Sequence, residues 1–324
     1  LKSEILLNLD SEDEGELFIG CAGGMDTIAS FELEKERIDF ESTGYRINIL
    51  GLRGGHSGDD IQKAYGNANK ILNRILYLGM KAFGMRLSHI DGGNLRNAIA
   101  REATASICIP KKMASDFENE VRKLIKGIKS EFIVTEPNLE IRIENMEPSL
   151  DVFSLDLQTR LINALYACPH GVIAWSRDIP NFVETSTNLA AVKTLEDKIL
   201  VTTSQRSSSV SEKEDVVNMV ASVFILAAAT VQHTDGYPGW KPNPKSRIME
   251  ITSASYEKLF KKKPKVLAIH AGLECGLIGE TYPAMDMISF GPSIRGAHSP
   301  DERIEIKTVQ MFWDLTLDVL KSLK

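Results

Sequence analysis

A small set of residues, spread from one end of the chain to the other, has the types and settings that hydrolytic chemistry uses. Asp10 lies in Leu-Asn-Leu-Asp10-Ser-Glu-Asp-Glu-Gly-Glu16 and His298 in Gly-Ala-His298-Ser-Pro-Asp-Glu302. A carboxylate and an imidazole are ordinary ligands of zinc or a similar divalent ion. Both sit in loop-like sequence beside strand-like runs, so they read as two halves of one metal site; singly, each is equally an acidic turn or a loop histidine. Two ligands are too few for a catalytic zinc, which takes about three protein ligands and an open position.

His56 stands in Gly54-Gly-His56-Ser-Gly58, where a strand runs toward a helical pattern. Glycines on both sides let a ligand approach the backbone. A helix start presents free N–H groups to an anion, and a neutral imidazole there can donate to an oxyanion. The alternative is a turn histidine whose glycines serve only the bend. Asn97 follows another glycine pair and either holds a substrate carbonyl or carboxylate or makes an Asx turn. Arg206, beside Ser204 and Ser207–Ser209, suits bidentate carboxylate binding or simply faces solvent. Glu274, in His270-Ala-Gly-Leu-Glu274-Cys-Gly, either binds a substrate amine or stabilises its loop. No Gly-rich phosphate loop and no Gly-x-Ser-x-Gly elbow is present.

The elements that must position these residues follow from periodicity. Tyr45, Ile47 and Ile49 alternate as a strand. Ile61, Ala64, Tyr65, Ala68, Ile71, Leu72 and Ile75 repeat as one helix face, predicting a helix from Ile61. With strands at Met85–Ile90, Ala103–Ile109 and Leu139–Ile143 and a helix over Phe117–Ile128, the order is β-α-β-β-α-β, the ferredoxin-like arrangement. A second, looser unit follows: a helix over Phe153–Ala167, then strands at Val172–Trp175, Thr187–Val192 and Ile199–Ser204. A capping box at Ser211–Glu214 opens its last helix. The Gly20–Gly24 run reads as a turn, and His233–Trp240 as a boundary. Beyond it, helices alternate with strands as in a parallel-type layer.

The expected architecture is therefore α/β: a partial catalytic layer with a mixed, largely parallel sheet, and an inserted domain of two α+β units. Residues 1–25 and 235–324 form the layer, and 26–234 the insertion, with units at about 41–148 and 149–234.

Bulk properties narrow the function. The 324 residues are 43% hydrophobic, enough for real cores. A net charge of -6, with both signs mixed, argues against nucleic acid as a partner. The longest near-apolar run, Met219–Thr230, is too short for a membrane span, so none is expected. Four cysteines without pairing or metal-type spacing favour a reducing cytoplasm.

In sequence order, the segments around Asp10, His56, Asn97, Glu274 and His298 resemble the bacterial aminoacyl-histidine dipeptidases. These belong to a two-zinc exopeptidase superfamily that includes carnosinases, peptidase T and acetylornithine deacetylase. The likeness covers essentially the whole chain, including Gly-Tyr-Pro-Gly-Trp240. It implies zinc-dependent hydrolysis of dipeptides of Xaa-His type by metal-activated water. It makes Asp10 and His298 zinc ligands, and His56 the lid histidine that polarises the scissile carbonyl. Asn97 and Arg206 become substrate-holding lid residues, Arg206 on the C-terminal carboxylate, and Gly272 a substrate-contacting backbone. The inserted domain becomes a lid that also carries homodimer contacts. The family's His-x-Asp motif, bridging aspartate and Glu-Glu pair have no match here, so the chain is expected to be an inactive C-terminal fragment with weak or no zinc binding. Two alternatives stand beside this: a tripeptidase or N-acyl amino acid deacylase with the same chemistry, and a non-catalytic binding or dimerisation module.

Overall fold

The computed structural model describes residues 2–295 and 301–323. In chain order the elements are β1 (Ile5–Asn8), β2 (Glu16–Cys21), β3 (Gly23–Glu32), β4 (Lys35–Arg37), β5 (Ser42–Leu50), α1 (Ala68–Ala82), β6 (Arg86–Gly92), β7 (Ala103–Pro110), α2 (Ala114–Glu131), β8 (Glu140–Met146), β9 (Asp151–Phe153) and α3 (Leu155–Ala167). They continue as β10 (Gly171–Trp175), β11 (Val183–Thr194), β12 (Lys198–Ser207), α4 (Val210–Leu226), β13 (Thr230–His233), α5 (Arg247–Phe260), β14 (Lys265–Ile269), α6 (Glu274–Thr281), β15 (Asp286–Ser289), β16 (Ile294–Arg295), β17 (Arg303–Ile304) and α7 (Ile306–Ser322).

The fold is a mixed α/β arrangement of parallel and antiparallel strands. A smaller sheet runs β1-β15-β2-β14, parallel at β1–β15 and β2–β14 and antiparallel where β15 meets β2. Successive residues of β15 serve opposite faces of it. Ile288 packs with Leu17, Ile248, Leu315 and Val319 from β2, α5 and α7. Met287 packs with Cys21, Trp240 and Cys275 on the other side. The Asp286 carboxylate anchors α5 to this sheet, accepting from Ser246 Oγ at 2.6 Å and Ile248 N at 3.0 Å.

The larger sheet runs β13-β3-β12-β11-β6-β7-β5-β8, with β10 added on β11. In β5, Tyr45, Ile47 and Ile49 are buried while Arg46 between them is exposed, because side chains alternate across a strand. Fully burying each such aliphatic contributes about 1.5–3 kcal/mol relative to exposure. The order β6-β7-β5-β8, covered by α1 and α2, is one ferredoxin-like unit.

The second unit has the same order in β11-β12-β3-β13. Its first strand is β3, so the expected 25/26 boundary falls inside a strand, and the first unit is inserted between β3 and α3. The Gly20–Gly24 run is not a turn either: β2 and β3 are separated by Ala22 alone. Hydrogen bonding to a strand some 170 residues away, Gly23 to Ser207 and onward, extends this glycine-rich run. The two units meet edge to edge where Val192 pairs with Gly92 and Lys193 with Asp91. From the first unit, Lys70 also reaches the end of α3, its Nζ donating to the carbonyls of Leu165, Tyr166 and Cys168, each at 2.8 Å.

Two helix starts differ from expectation. The helix predicted from Ile61 is broken: a short 3-10 turn at Ile61–Lys63 ends at Ala64 in the left-handed region (φ 54°), and α1 starts at Ala68 with Asn67 as its cap. The last helix of the second unit starts earlier than its expected capping box, with Ser209 Oγ accepting from Glu212 N at 3.5 Å. In the first case a local cap outweighs the apolar repeat; in the second, Ser209 caps the helix two residues before the expected Ser211.

Two chain crossings connect the layers, and they run side by side. Cys21 pairs with Trp240, and Gly24 with Tyr237, through reciprocal backbone hydrogen bonds of 2.8–3.0 Å. A Cβ on Gly23 would stand 2.4 Å from Gly239 N, so the crossing strands need glycine here.

Candidate active site between the two layers

The loop from Gly51 to Asn67 carries His56. Gly54 and Gly55 take φ values of 68° and 140°, which turn the backbone sharply before the histidine. The His56 N–H then donates to Asp60 Oδ2 at 2.7 Å. Its Nδ1 accepts backbone N–H groups from Asp59 at 3.2 Å and Gly58 at 3.4 Å. A neutral ring that accepts these N–H groups at Nδ1 carries its hydrogen on Nε2, whereas a ring that donates from Nδ1 to Asp59 keeps a hydrogen on Nε2 only when it is charged. Asp59 Oδ2 lies 3.2 Å from Nδ1 and is the natural acceptor once the ring gains a second proton. A hydrogen bond with His56 holds the Asp59 carboxyl below the usual carboxylate range, with the charge of Arg206 adding to the effect.

The Asn97 loop is strapped to the His56 loop. Ser57 N donates to Asn97 O at 2.8 Å, Ile99 N to Gly55 O at 2.9 Å, and His56 bridges Ala98. From β11, Asn188 Nδ2 donates to Ala98 O at 2.8 Å. His56 and Asn97 therefore sit on one piece of backbone held to the large sheet.

A cavity of about 830 Å³ lies between this piece and the smaller layer. Its lining includes Asp10, Glu12, His56, Asp59, Asn97, Phe182, His270 and Gly272. A second cavity, of about 690 Å³, is lined by Asp26, Arg96, Asn97, Ser204, Arg206 and Tyr237. Asn97 lines both. Residues 262 positions apart in the chain, Asp10 and Gly272, thus face one space.

Arg206 is 6% exposed. Its Nη1 donates to the Tyr237 hydroxyl at 2.7 Å, while the buried Nε has no partner. A buried guanidinium with an unused donor facing a polar cavity is a ready anion site. Opposite Arg206 in the sheet stands Ser186, whose Oγ lies 2.7 Å from His270 Nε2. Burial, and then the charge of Arg206, push the His270 imidazole down to about 3, so it is neutral at ordinary pH.

Gly272 packs against the ring of Tyr237, where a Cβ would come within 2.8 Å. Glu274 makes a contact that fits the loop-stabilising alternative. It opens α6, is exposed, and accepts from Asn8 Nδ2 at 3.2 Å. Asn8 Oδ1 in turn accepts from Asp10 N at 3.0 Å, an Asx-type turn that sets the exposed Asp10 after β1. His298 lies outside the described residues.

Among the described residues no group of three His, Cys, Asp or Glu side chains stands together as a metal site. Asp10 alone is an incomplete donor set, so these residues do not by themselves fit the zinc pair that the resemblance implies.

Sequence patterns singled out neither Asp59, His270 nor Tyr237. His270 stands within a quoted segment and Asp59 directly follows one, but their importance depends on contacts made after folding. Tyr237 reads only as part of a turn-rich boundary.

Comparison with known proteins places these contacts in context. Residues 26–136 match the family model described as an M20 peptidase dimerisation domain. The whole chain is 39% identical to the cytosol non-specific dipeptidase of Escherichia coli (strain K12), covering 67% of that protein. It superposes on the crystal structure of aminoacylhistidine dipeptidase from Vibrio alginolyticus with a TM-score of 0.95 and 41% identity, over 99% of this chain and 66% of that one. The chain thus spans about two thirds of the length of either relative. With that identity along its full length, the chain belongs to the M20 peptidase family, beside the aminoacylhistidine dipeptidases.

Proposed function

We propose that this chain forms the substrate-binding and oxyanion-stabilising part of a dipeptide hydrolase of Xaa-His type, with residues 26–234 acting as its lid. The observation that carries the proposal is the His56 ring, whose Nδ1 faces the Asp59 and Gly58 N–H groups, on the rim of a cavity large enough for a dipeptide; the hydrogen on Nε2 is part of the proposal. A neutral imidazole donating from Nε2 stabilises the negative oxygen of a tetrahedral intermediate without giving up its proton. The Asn97 amide, on the same backbone strap, holds the substrate beside it. Arg206 takes the C-terminal carboxylate with its unused donors, which selects an exopeptidase substrate of fixed length. Gly272 brings backbone close to the substrate, where any side chain would meet Tyr237.

Asp10 is proposed as one carboxylate donor to a divalent ion such as zinc, with His298 as a further donor. A complete site needs donors beyond the described residues, and no catalytic step is assigned through the metal here. The dimerisation match at residues 26–136 supports a homodimer through the lid. The cytosolic relative supports a cytoplasmic location.

The test is a panel of dipeptides, tripeptides and N-acyl amino acids, offered with added zinc to the longest natural form of the protein. Xaa-His dipeptides are the expected best substrates. His56→Ala is expected to lower kcat by roughly 100-fold or more with little change in KM, as removal of an oxyanion donor does. Undiminished turnover in the His56→Ala protein, or cleavage confined to acylated amino acids, rules the proposal out.

A further inference from the structure

The His56 loop has two ends, and one buried side chain holds both. Glu136, in the turn between α2 and β8, is 2% exposed. Its Oε2 accepts the Arg53 N–H and its Oε1 the Gly66 N–H, each at 2.8 Å. No ion pair to Glu136 is present among the described residues. The nearby Arg53 guanidinium instead lies over the Tyr65 ring, 5.7 Å from its centroid. A buried carboxylate balanced by two backbone N–H groups is costly unless both are in place.

The surrounding glycines make the clamp close-fitting. A Cβ on Gly66 would lie 3.4 Å from Glu136 Cγ and 2.8 Å from Leu52 Cδ2. Gly51, at φ 74°, leaves room for the Asn138 carbonyl, which a Cβ there would approach to 2.1 Å. Between the clamped ends the loop has a short 3-10 turn, the contact from His56 N to Asp60, and the backbone bonds at Gly55 and Ser57 that strap it to the Asn97 segment. The loop is therefore held beside His56 by that strap, and at Arg53 and Gly66, where it leaves and re-enters the unit, by Glu136.

We infer that Glu136 is a positioning residue for the reaction, fixing His56 over the substrate cavity by tying both ends of its loop to the α2–β8 turn. The inference rests on the oxyanion role proposed for His56. Small displacements of a reacting group cost rate steeply, about 100-fold for an ångström. Loss of the clamp falls on kcat, because Glu136 lines neither substrate cavity.

The experiment compares Glu136→Ala, Glu136→Gln and His56→Ala by steady-state kinetics and by amide hydrogen exchange. Glu136→Ala is expected to lower kcat at least tenfold with KM little changed. Exchange across residues 53–66 accelerates, while α1 and β5 keep wild-type protection. Glu136→Gln retains an acceptor for one N–H and opposes the other with its amide, so it falls between. Should the alanine variant not fold, the glutamine variant decides by the same measurements. Wild-type kcat in a folded Glu136 variant overturns the inference, as does unchanged exchange at 53–66 or exchange that rises uniformly through residues 42–146. Full activity in His56→Ala removes the oxyanion role instead, and the exchange data still decide whether Glu136 clamps the loop.

Discussion

If Arg206 binds the substrate carboxylate as proposed, Arg206→Met separates binding from stability. In the folded chain its guanidinium is 6% exposed, bonded to the neutral Tyr237 hydroxyl, and has an unpartnered Nε. In the proposed function a substrate carboxylate pairs with this guanidinium. Charge-assisted hydrogen bonds of this kind contribute about 1.5–3 kcal/mol, so their loss raises KM roughly tenfold to hundredfold. Methionine fills a similar length without a charge to bury. Its one loss is the Tyr237 bond, about 1 kcal/mol, against relief of a buried cation. The folded protein is expected to keep or raise its melting temperature. Two neighbours report the change. His270 rises from about 3 but stays below its ordinary value, because burial, the larger cause, remains. The Asp59 carboxyl also rises, since Arg206 is among the charges that lower it. The assay compares a dipeptide with its C-terminal amide: the parent discriminates between them and Arg206→Met does not, while NMR follows the His270 ring. Retained acid-over-amide discrimination in the variant refutes the assignment of Arg206 to the carboxylate.

Other expectations follow from the same contacts. The pH dependence of stability has a definite sign. His270 is pushed down to about 3, and the partly buried His170, whose Nδ1 accepts the Leu189 N–H at 3.3 Å, to about 4. Each ordinarily titrates near 6.5, so between those values the unfolded chain binds protons that the folded chain refuses. Their contribution is fully present above about pH 6.5 and is lost as pH falls toward 4 and 3. Urea midpoints are expected to drop from pH 7 to pH 5 with both rings still neutral by NMR, and a flat profile contradicts this. Lys70→Met orphans three carbonyls at the end of α3 and is expected to lower unfolding free energy by roughly 2–4 kcal/mol, measured by denaturant titration. Unchanged stability would show that water replaces the ammonium at no cost.

What could be read from the sequence was what short-range physics decides. The alternation of Tyr45, Ile47 and Ile49 gave β5, and the strand read at Ala103–Ile109 falls within β7. Ala64 escaped because an apolar repeat carries no sign of the positive φ that breaks it. The place of β3 escaped for a different reason: its partner lies far along the chain, and periodicity holds no register. At the site, glycine-flanked His56 and Asn97 stood out, and they share a strap. The proposed donor on Nε2 and the clamp at Glu136 did not, since both depend on which backbone N–H groups meet a side chain after folding. Glu274 shows the converse, a residue in a conspicuous segment that turns to Asn8.

The nested order of the two units dictates a timetable for folding during synthesis. When β3 emerges from the ribosome its neighbours β12 and β13 do not yet exist. The unit that starts at β5 has all its strands by Met146 and can close at once. Until Ser207 is made, Gly23–Glu32 must wait as an unpaired, largely apolar ribbon, the segment most exposed to wrong partners. Chain growth that stalls between those two points leaves a finished unit carrying a sticky tail.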